Sequence, residues 1–393
     1  MNTNTALLND RRDTDTGTIK KIMIVAGEAS GDLHGGNLVQ AMLRIDRNLR
    51  FYGIGGNKMK AAGVELIADS ADMAVVGLTE VVSKLAMVLK VMAQLKTSLK
   101  EDKPDLIILI DYPDFNLPMA KAAKKNGIRV FYYISPQVWA WRRGRIEKIK
   151  KIVDKMAVIL PFEASLYKKA GVDVTFVGHP LLDVVRAKYS REEALHRFGL
   201  REGVTTVGIL PGSRQSEVQR LLPEMLMAAK RIEEKLNPIQ YILPLADTLD
   251  SAFVSHIIAQ YPVNVRIIRG DTYDVIGCAD IAIVASGTAT LETALMETPM
   301  IIIYKISKTS YYIGKMIINV NNIGLVNIIA GKTIVPELIQ DEANPEKIAG
   351  EVINMLTNRE RLEGIKAELS KIRDMLGSPG AAERAARLAY EML

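Results

Sequence analysis

The chain predicts an α/β protein made of two doubly wound parallel-sheet domains. Its 393 residues exceed what one hydrophobic core usually supports. Strand-sized apolar runs alternate with amphipathic stretches from end to end, the βαβ pattern that lays strands parallel with helices on both faces. The alternation breaks once, near residues 180–202, and then restarts.

In the first half, KKIMIVAG leads into a helix through Leu38 and Met42, and DLIILID precedes NLPMAKAAKKNG. RVFYYIS then precedes RRGRIEKIKKIV, and KMAVILP precedes FEASLYKKAG. After VTFVGHPLLDVV comes a charged helical segment, SREEALHRFGLREG. The second half runs through TTVGILPGS, a long helix ending near Lys235, IQYILPLAD, VNVRIIRG, IAIVAS and MIIIYKI. The expected division is a flexible polar tail over 1–18, a first domain over 19–185, a linking region over 186–202 and a second domain over 203–393. The terminal helices are left to pack either back on the first domain or on a partner, and a homodimer is left open. A ligand cleft is expected between the domains, at the carboxyl ends of their strands.

Composition excludes several classes. With 48% apolar and 24% charged residues, the chain reads as globular. The single cysteine, Cys278, rules out an internal disulfide framework and fits a reducing compartment. No apolar run approaches the roughly 18 residues of a membrane span, and the polar tail lacks the apolar stretch of a secretory signal. The net charge of +6 suits anionic ligands or lipid headgroups, although many basic proteins have neither. His34, His179, His196 and His256 are scattered, and Asp271 with Asp274 reads equally as a helix cap. Neither a metal nor a cofactor is expected.

Small or polar loops follow the predicted strands. In ASGTATLE, a strand ending at Ser286, Gly287 and Thr288 feeds a helix whose free backbone N–H groups and positive dipole end suit a phosphate. Glu292 lies about 6–7 Å further along the axis at ~1.5 Å rise per residue, within reach of a ribose diol; the competing reading is an ordinary helix cap with Glu292 solvated. PGSR supplies a second glycine turn, Gly212 and Ser213, with Arg214 suited to a pair of phosphate oxygens or simply to pairing with Glu217. GEASGD places Gly27, Glu28, Ser30, Gly31 and Asp32 where backbone approaches something closely. Asp111 in DYPDFN closes a wholly apolar strand and is either a general base or a turn-forming residue before Pro113.

SPQVWAWR holds Pro136, the only two tryptophans, Trp139 and Trp141, and Arg142, ahead of a basic helix. The absence of a recognition motif sets nucleic acid aside in favour of a small phosphate-bearing substrate or simple packing. No GxxxxGK[ST], GxGxxG after the first strand or GxSxG is present, which weakens kinase, dehydrogenase and hydrolase readings. In residues 78–92, Leu78, Val81, Val82, Leu85, Val88, Leu89 and Met92 share a helical stripe with lysines away from it. That stripe is a buried face by default and also fits an in-plane membrane helix.

GEASGD, VVGLTEV, DYPDFN, SPQVWAWR, FVGHPLLD, LPGSR and ASGTATLE, in this order and spacing, resemble the lipid-A-disaccharide synthase family from about residue 20 to the C-terminal end. The resemblance implies a membrane-associated, inverting glycosyltransferase of GT-B fold with two Rossmann-like domains facing a central cleft. Such enzymes transfer 2,3-diacylglucosamine from its UDP derivative to the 6-hydroxyl of 2,3-diacylglucosamine 1-phosphate. The products are the β-1,6-linked disaccharide 1-phosphate and UDP. By the same resemblance, Arg214 sits on the diphosphate and Glu292 near the ribose, while Asn327 in VNIIAG, and Glu337 and Gln340 in PELIQ, line the UDP cleft. Asp111 matches the family's proposed base, with Glu28 in its glycine-rich loop, and Val81, Val82, Leu85, Val88 and Leu89 become candidate contacts to an anionic membrane surface. The expected location is the cytoplasm, peripherally on the cytoplasmic face of the inner membrane. Two rivals share parts of this pattern: another UDP-sugar enzyme such as a UDP-N-acetylglucosamine 2-epimerase, and a non-catalytic nucleotide- or lipid-binding protein.

Overall fold

The computed structural model describes residues 18–70, 81–136, 143–306 and 322–393, with the side chains at 81–85 and 143 outside the described set. The first sheet holds β1 (Lys20–Ala26), β2 (Leu49–Gly55), β3 (Val64–Asp69), β4 (Leu106–Ile110), β5 (Arg129–Tyr133), β6 (Lys155–Val158) and β7 (Val174–Phe176). Its spatial order is β3-β2-β1-β4-β5-β6-β7. The second holds β8 (Thr205–Leu210), β9 (Ile239–Leu245), β10 (Val265–Arg269), β11 (Ile281–Ala285), β12 (Met300–Tyr304) and β13 (Glu337–Ile339), ordered β10-β9-β8-β11-β12-β13. Pairings in both sheets are parallel.

Strands covered by helices on both faces have no polar side to offer, so they run apolar throughout. Every residue of β4 (LIILI) and of β11 (IAIVA) is buried. The helix Gln215–Glu233 shows the complementary pattern: Val218, Leu221, Leu222, Met225, Leu226, Ala229 and Ile232 recur at helical spacing and are all buried. They share one core with Val207, Ile209 and Ile283 of the sheet.

By compactness the chain divides into two units. One runs to Tyr133 and takes in Ile152–Asp154 and Ala385–Leu393; the other comprises Ile134–Lys151 and Lys155–Arg384. Within the first unit, the Arg129 guanidinium donates to the Met392 carbonyl at 2.6 Å and the Tyr390 hydroxyl to Asp46 at 3.3 Å. Within the second, residues 186–202 carry the helix Arg191–Arg197, opened by a capping box between Ser190 and Glu193. Ala194, Leu195 and Phe198 pack with Ile242, Val275 and Cys278. The Asp274 carboxylate accepts from the backbone of Lys188 and Tyr189 at 2.7 and 3.0 Å, while Asp271 pairs with Lys188 at 2.9 Å. These two aspartates therefore tie a segment down.

Of the stripe over residues 78–92, Leu78 and the side chains of Val81, Val82 and Leu85 lie outside the described residues, and the rest divides between half-buried and exposed positions. On the helix Val81–Glu101 the buried line is Val91, Leu95 and Leu99, whereas Met87 and Leu89 are 40% and 56% exposed. Val88 is half-buried. Among the described residues no helix is long and apolar enough to cross a membrane.

In both sheets the strand order reverses once, between β1 and β4 and between β8 and β11. At such switch points the connections diverge to opposite faces and leave a crevice beyond the carboxyl strand ends. Register sets what lies there. Ala26 pairs with Ile110, so Gly27–Glu28 and Asp111 leave the sheet at one level. Val284 pairs with Leu210, which does the same for Ser286–Thr288 and Gly212–Arg214.

Asp32 anchors the first of these edges from below. Its carboxylate accepts from the backbone of Gly56, Lys58 and Met59 at 2.7, 3.0 and 3.0 Å, which caps the helix Asn57–Ala61. Asp32→Ala leaves three buried or half-buried donors unpaired and is expected to lower unfolding free energy by about 2–4 kcal/mol, read by denaturant titration. A variant as stable as the parent would show that water replaces the carboxylate without loss.

Candidate active site

At the first switch point the chain leaves β4 through two successive left-handed residues, Asp111 (φ 44°) and Tyr112 (φ 46°). Neither is glycine, so the corner is strained, and such strain collects at functional sites. Tyr112 stacks on Phe115 with centroids 5.6 Å apart, and its ring lies against Gly27, where an added Cβ would come within 2.2 Å of it. This close approach explains the glycine. Glu28 is exposed and occupies the N-cap of the helix Ala29–Ile45 without using its side chain as a cap. Burial, reinforced by the Glu28 carboxylate, pushes Asp111 from 3.8 up to about 6, partly opposed by a hydrogen bond from the Tyr112 backbone. Ser30 is exposed and Gly31 packs its backbone against Ala26. Asp32 is turned inward as described, both oxygens occupied.

Two neighbours not singled out in the sequence hold this corner. The Asp111 carbonyl accepts from the Tyr132 hydroxyl at 2.6 Å and from the Asn116 amide at 2.7 Å. Asn116 is visible within DYPDFN, but its role depends on a turn that sequence does not announce. Pro136 is buried and its carbonyl accepts from Tyr167 at 3.1 Å. Trp139, Trp141 and Arg142 lie outside the described residues.

At the second switch point, Gly212 (φ 107°) turns the chain into the helix Gln215–Glu233, with Arg214 at its N-cap. The Arg214 side chain is 73% exposed and pairs with Glu217 at 3.0 Å, so the pairing read from sequence forms. Ser213 is exposed, its carbonyl accepting from Thr248 at 2.6 Å. Beside it Gly287 caps the helix Thr288–Leu295 with no side-chain cap, and a Cβ added there would meet nothing within 4 Å. Thr288 is exposed, while the Ser286 hydroxyl reaches the Ile323 carbonyl at 3.4 Å. Glu292 is half-buried rather than solvated. Burial raises its pKa, opposed by a hydrogen bond from the Tyr273 hydroxyl at 3.4 Å, a partner not foreseen.

Asn327, Glu337 and Gln340 use their polar atoms on the protein itself. Glu337 accepts from Ile323, Gly324 and Asn327 at 2.8, 3.0 and 2.7 Å. Asn327 accepts from the backbone of Ile334 and Val335, and Gln340 brackets Ile306 through both its amide atoms. Their visible work is to clamp the backbone at the ends of β12 and β13. Among the described residues no cluster of three or more His, Cys, Asp or Glu forms a metal site.

The Lipid-A-disaccharide synthetase family model matches residues 22–391. The chain belongs to the lipid-A-disaccharide synthase family. A lipid-A-disaccharide synthase from Syntrophus aciditrophicus (strain SB) is 62% identical over 375 residues, covering 95% of this chain and 98% of that protein. Among solved structures, the glycotransferase of kitacinnamycin superposes with a TM-score of 0.62 at 16% identity, covering 95% of this chain and 99% of the other. The S. aureus MnaA–UDP co-structure gives 0.61 at 12% identity, covering 93% and 94%. The architecture is that of GT-B glycosyltransferases, and the family places the chain among glycosyltransferases of lipid A biosynthesis.

Asp111 bears on stability as well as chemistry. A carboxyl raised from 3.8 to about 6 by the fold favours folding below its unfolded value, and that contribution is lost as pH rises through about 6. Asp111→Asn is therefore expected to melt at or above the parent temperature at neutral pH, with the advantage shrinking toward pH ~4. A clear drop in melting temperature at neutral pH would show that the ionised carboxylate is stabilising.

Proposed function

We propose that the chain carries out the inverting transfer of 2,3-diacylglucosamine from UDP-2,3-diacylglucosamine to the 6-hydroxyl of 2,3-diacylglucosamine 1-phosphate. Asp111 serves as the base. The observation that carries this role is a half-buried carboxyl at a strained strand end, raised to about 6 with Glu28 beside it. At neutral pH it is ionised yet basic enough to take a proton. It accepts the proton of the 6-hydroxyl as that oxygen bonds to the anomeric carbon. The bond from that carbon to the diphosphate breaks on the opposite face, and UDP leaves with the electron pair.

The helix start at Gly287–Thr288 and the guanidinium of Arg214 take up the leaving diphosphate, so the reading calls on no metal. In this reading Arg214 exchanges Glu217 for phosphate when UDP binds, and Glu292 receives the ribose hydroxyls. The UDP in the S. aureus co-structure supports a nucleotide site in this architecture. Asn327, Glu337 and Gln340 contribute by holding the backbone around that site. An epimerase would not require an apolar face for acyl chains and a non-catalytic binder would not require Asp111, and family membership supports the transferase over both.

The substrates carry acyl chains, which supports contact with the cytoplasmic face of the inner membrane through the exposed Met87 and Leu89 beside exposed Lys90. Anionic vesicles should carry the parent in a flotation assay and leave Met87→Glu/Leu89→Glu in solution with its circular dichroism unchanged. Equal flotation of both would remove this face from the proposal.

The chemistry is tested by incubating pure protein with the two lipid substrates and following UDP and disaccharide. Asp111→Ala should lower turnover by about 10³-fold or more while the UDP dissociation constant stays within about threefold. Parallel loss of turnover and UDP affinity would contradict the assigned role.

A further inference from the structure

The corner after β4 is improbable on backbone grounds. Asp111 and Tyr112 both carry a Cβ and both sit in the left-handed region, a conformation that L-residues disfavour. Their peptide is nonetheless fixed from two directions. From the neighbouring strand β5, whose Tyr132 pairs with Leu109, the Tyr132 hydroxyl donates to the Asp111 carbonyl at 2.6 Å. From the helix Pro113–Lys125, the Asn116 amide donates to the same carbonyl at 2.7 Å and to that of Ile110 at 3.1 Å. Tyr132 and Asn116 are both 0% exposed, so water cannot readily stand in for either donor. A carbonyl stripped of such partners in a buried setting is costly, which ties the left-handed conformation to these two side chains.

We propose that Tyr132 and Asn116 are positioning residues for the transfer. By donating to the Asp111 carbonyl they lock the Asp111–Tyr112 peptide and so set the direction in which the Asp111 carboxyl meets the acceptor hydroxyl. This rests on Asp111 being the base. The geometry separates two duties within one residue: the carbonyl faces the fold and is held, and the carboxyl at the strand end is thereby aimed. Loss of one donor lets the peptide rotate toward an ordinary conformation and carries the carboxyl away from its half-buried position beside Glu28.

The test uses full-length Tyr132→Phe and Asn116→Ala, with Asp111→Asn as reference, in steady-state kinetics across the acid limb of the pH profile. Tyr132→Phe removes one oxygen from a buried ring. It should lower kcat roughly tenfold or more with acceptor KM within about twofold. The acid limb should also move down from near 6 toward the ordinary carboxylate range, as the carboxyl becomes more exposed and moves from Glu28. Asn116→Ala should act in the same direction, and the double variant should lose less than the product of the two, because both donors serve one carbonyl. If Tyr132→Phe fails to fold, Asn116→Ala carries the same measurement. The proposal is overturned if kcat and the acid limb stay at parent values, or if activity falls only in step with melting temperature while the limb does not move. An inactive Asp111→Asn beside a normal Tyr132→Phe sinks this inference alone. A fully active Asp111→Asn sinks the base assignment and this inference with it.

Discussion

The parallel register at the two switch points is the constraint on which the rest depends. Because Ala26 is level with Ile110 and Val284 with Leu210, two pairs of loops leave their sheets side by side. Each pair joins a glycine turn to a neighbouring strand end: Gly27 and Glu28 with Asp111, Gly212 and Arg214 with the Gly287 helix start. A slip of one residue in either register would separate the loops of each pair.

Strain marks these edges a second way. The non-glycine residues with positive φ among those described are Lys103, Asp111, Tyr112, Ile134, Glu297 and Gln340. Four of them, Asp111, Tyr112, Ile134 and Gln340, come directly after β4, β5 and β13. Each is secured by surrounding hydrogen bonds, such as those of Tyr132 and Asn116 to Asp111 or of Gln340 to Ile306. The fold tolerates unfavourable backbone where it turns side chains outward from the strand ends, and stabilises it through buried donors beneath. The raised pKa of Asp111 belongs to the same arrangement, since burial and the Glu28 charge both disfavour its ionised form.

Much of this was legible in the sequence because it is local. The alternation of apolar runs and amphipathic stretches predicted the sheets, and DYPDFN, PGSR and ASGT were readable as strand-end loops. What escaped depends on distant pairings. Asp32 looked like a cleft residue within GEASGD, but its carboxylate caps a helix some 24 residues on. Asn327 and Glu337, ten residues apart, satisfy each other and backbone groups on either side of Asn327. The left-handed corner at Asp111 was invisible since no glycine announces it. In the helix Val81–Glu101 the core line passes through Val91, Leu95 and Leu99, a phase that the window ending at residue 92 could not reveal.

The central claim is that the second switch point receives the nucleotide while the first supplies the base. A crystal structure of the chain with UDP tests it most directly. The diphosphate is expected against the backbone N–H groups after Gly287, with Arg214 swung from Glu217 onto it and the ribose at Glu292. UDP bound instead at the strand ends around Glu28 and Asp111, with the Arg214–Glu217 pair intact, would contradict it.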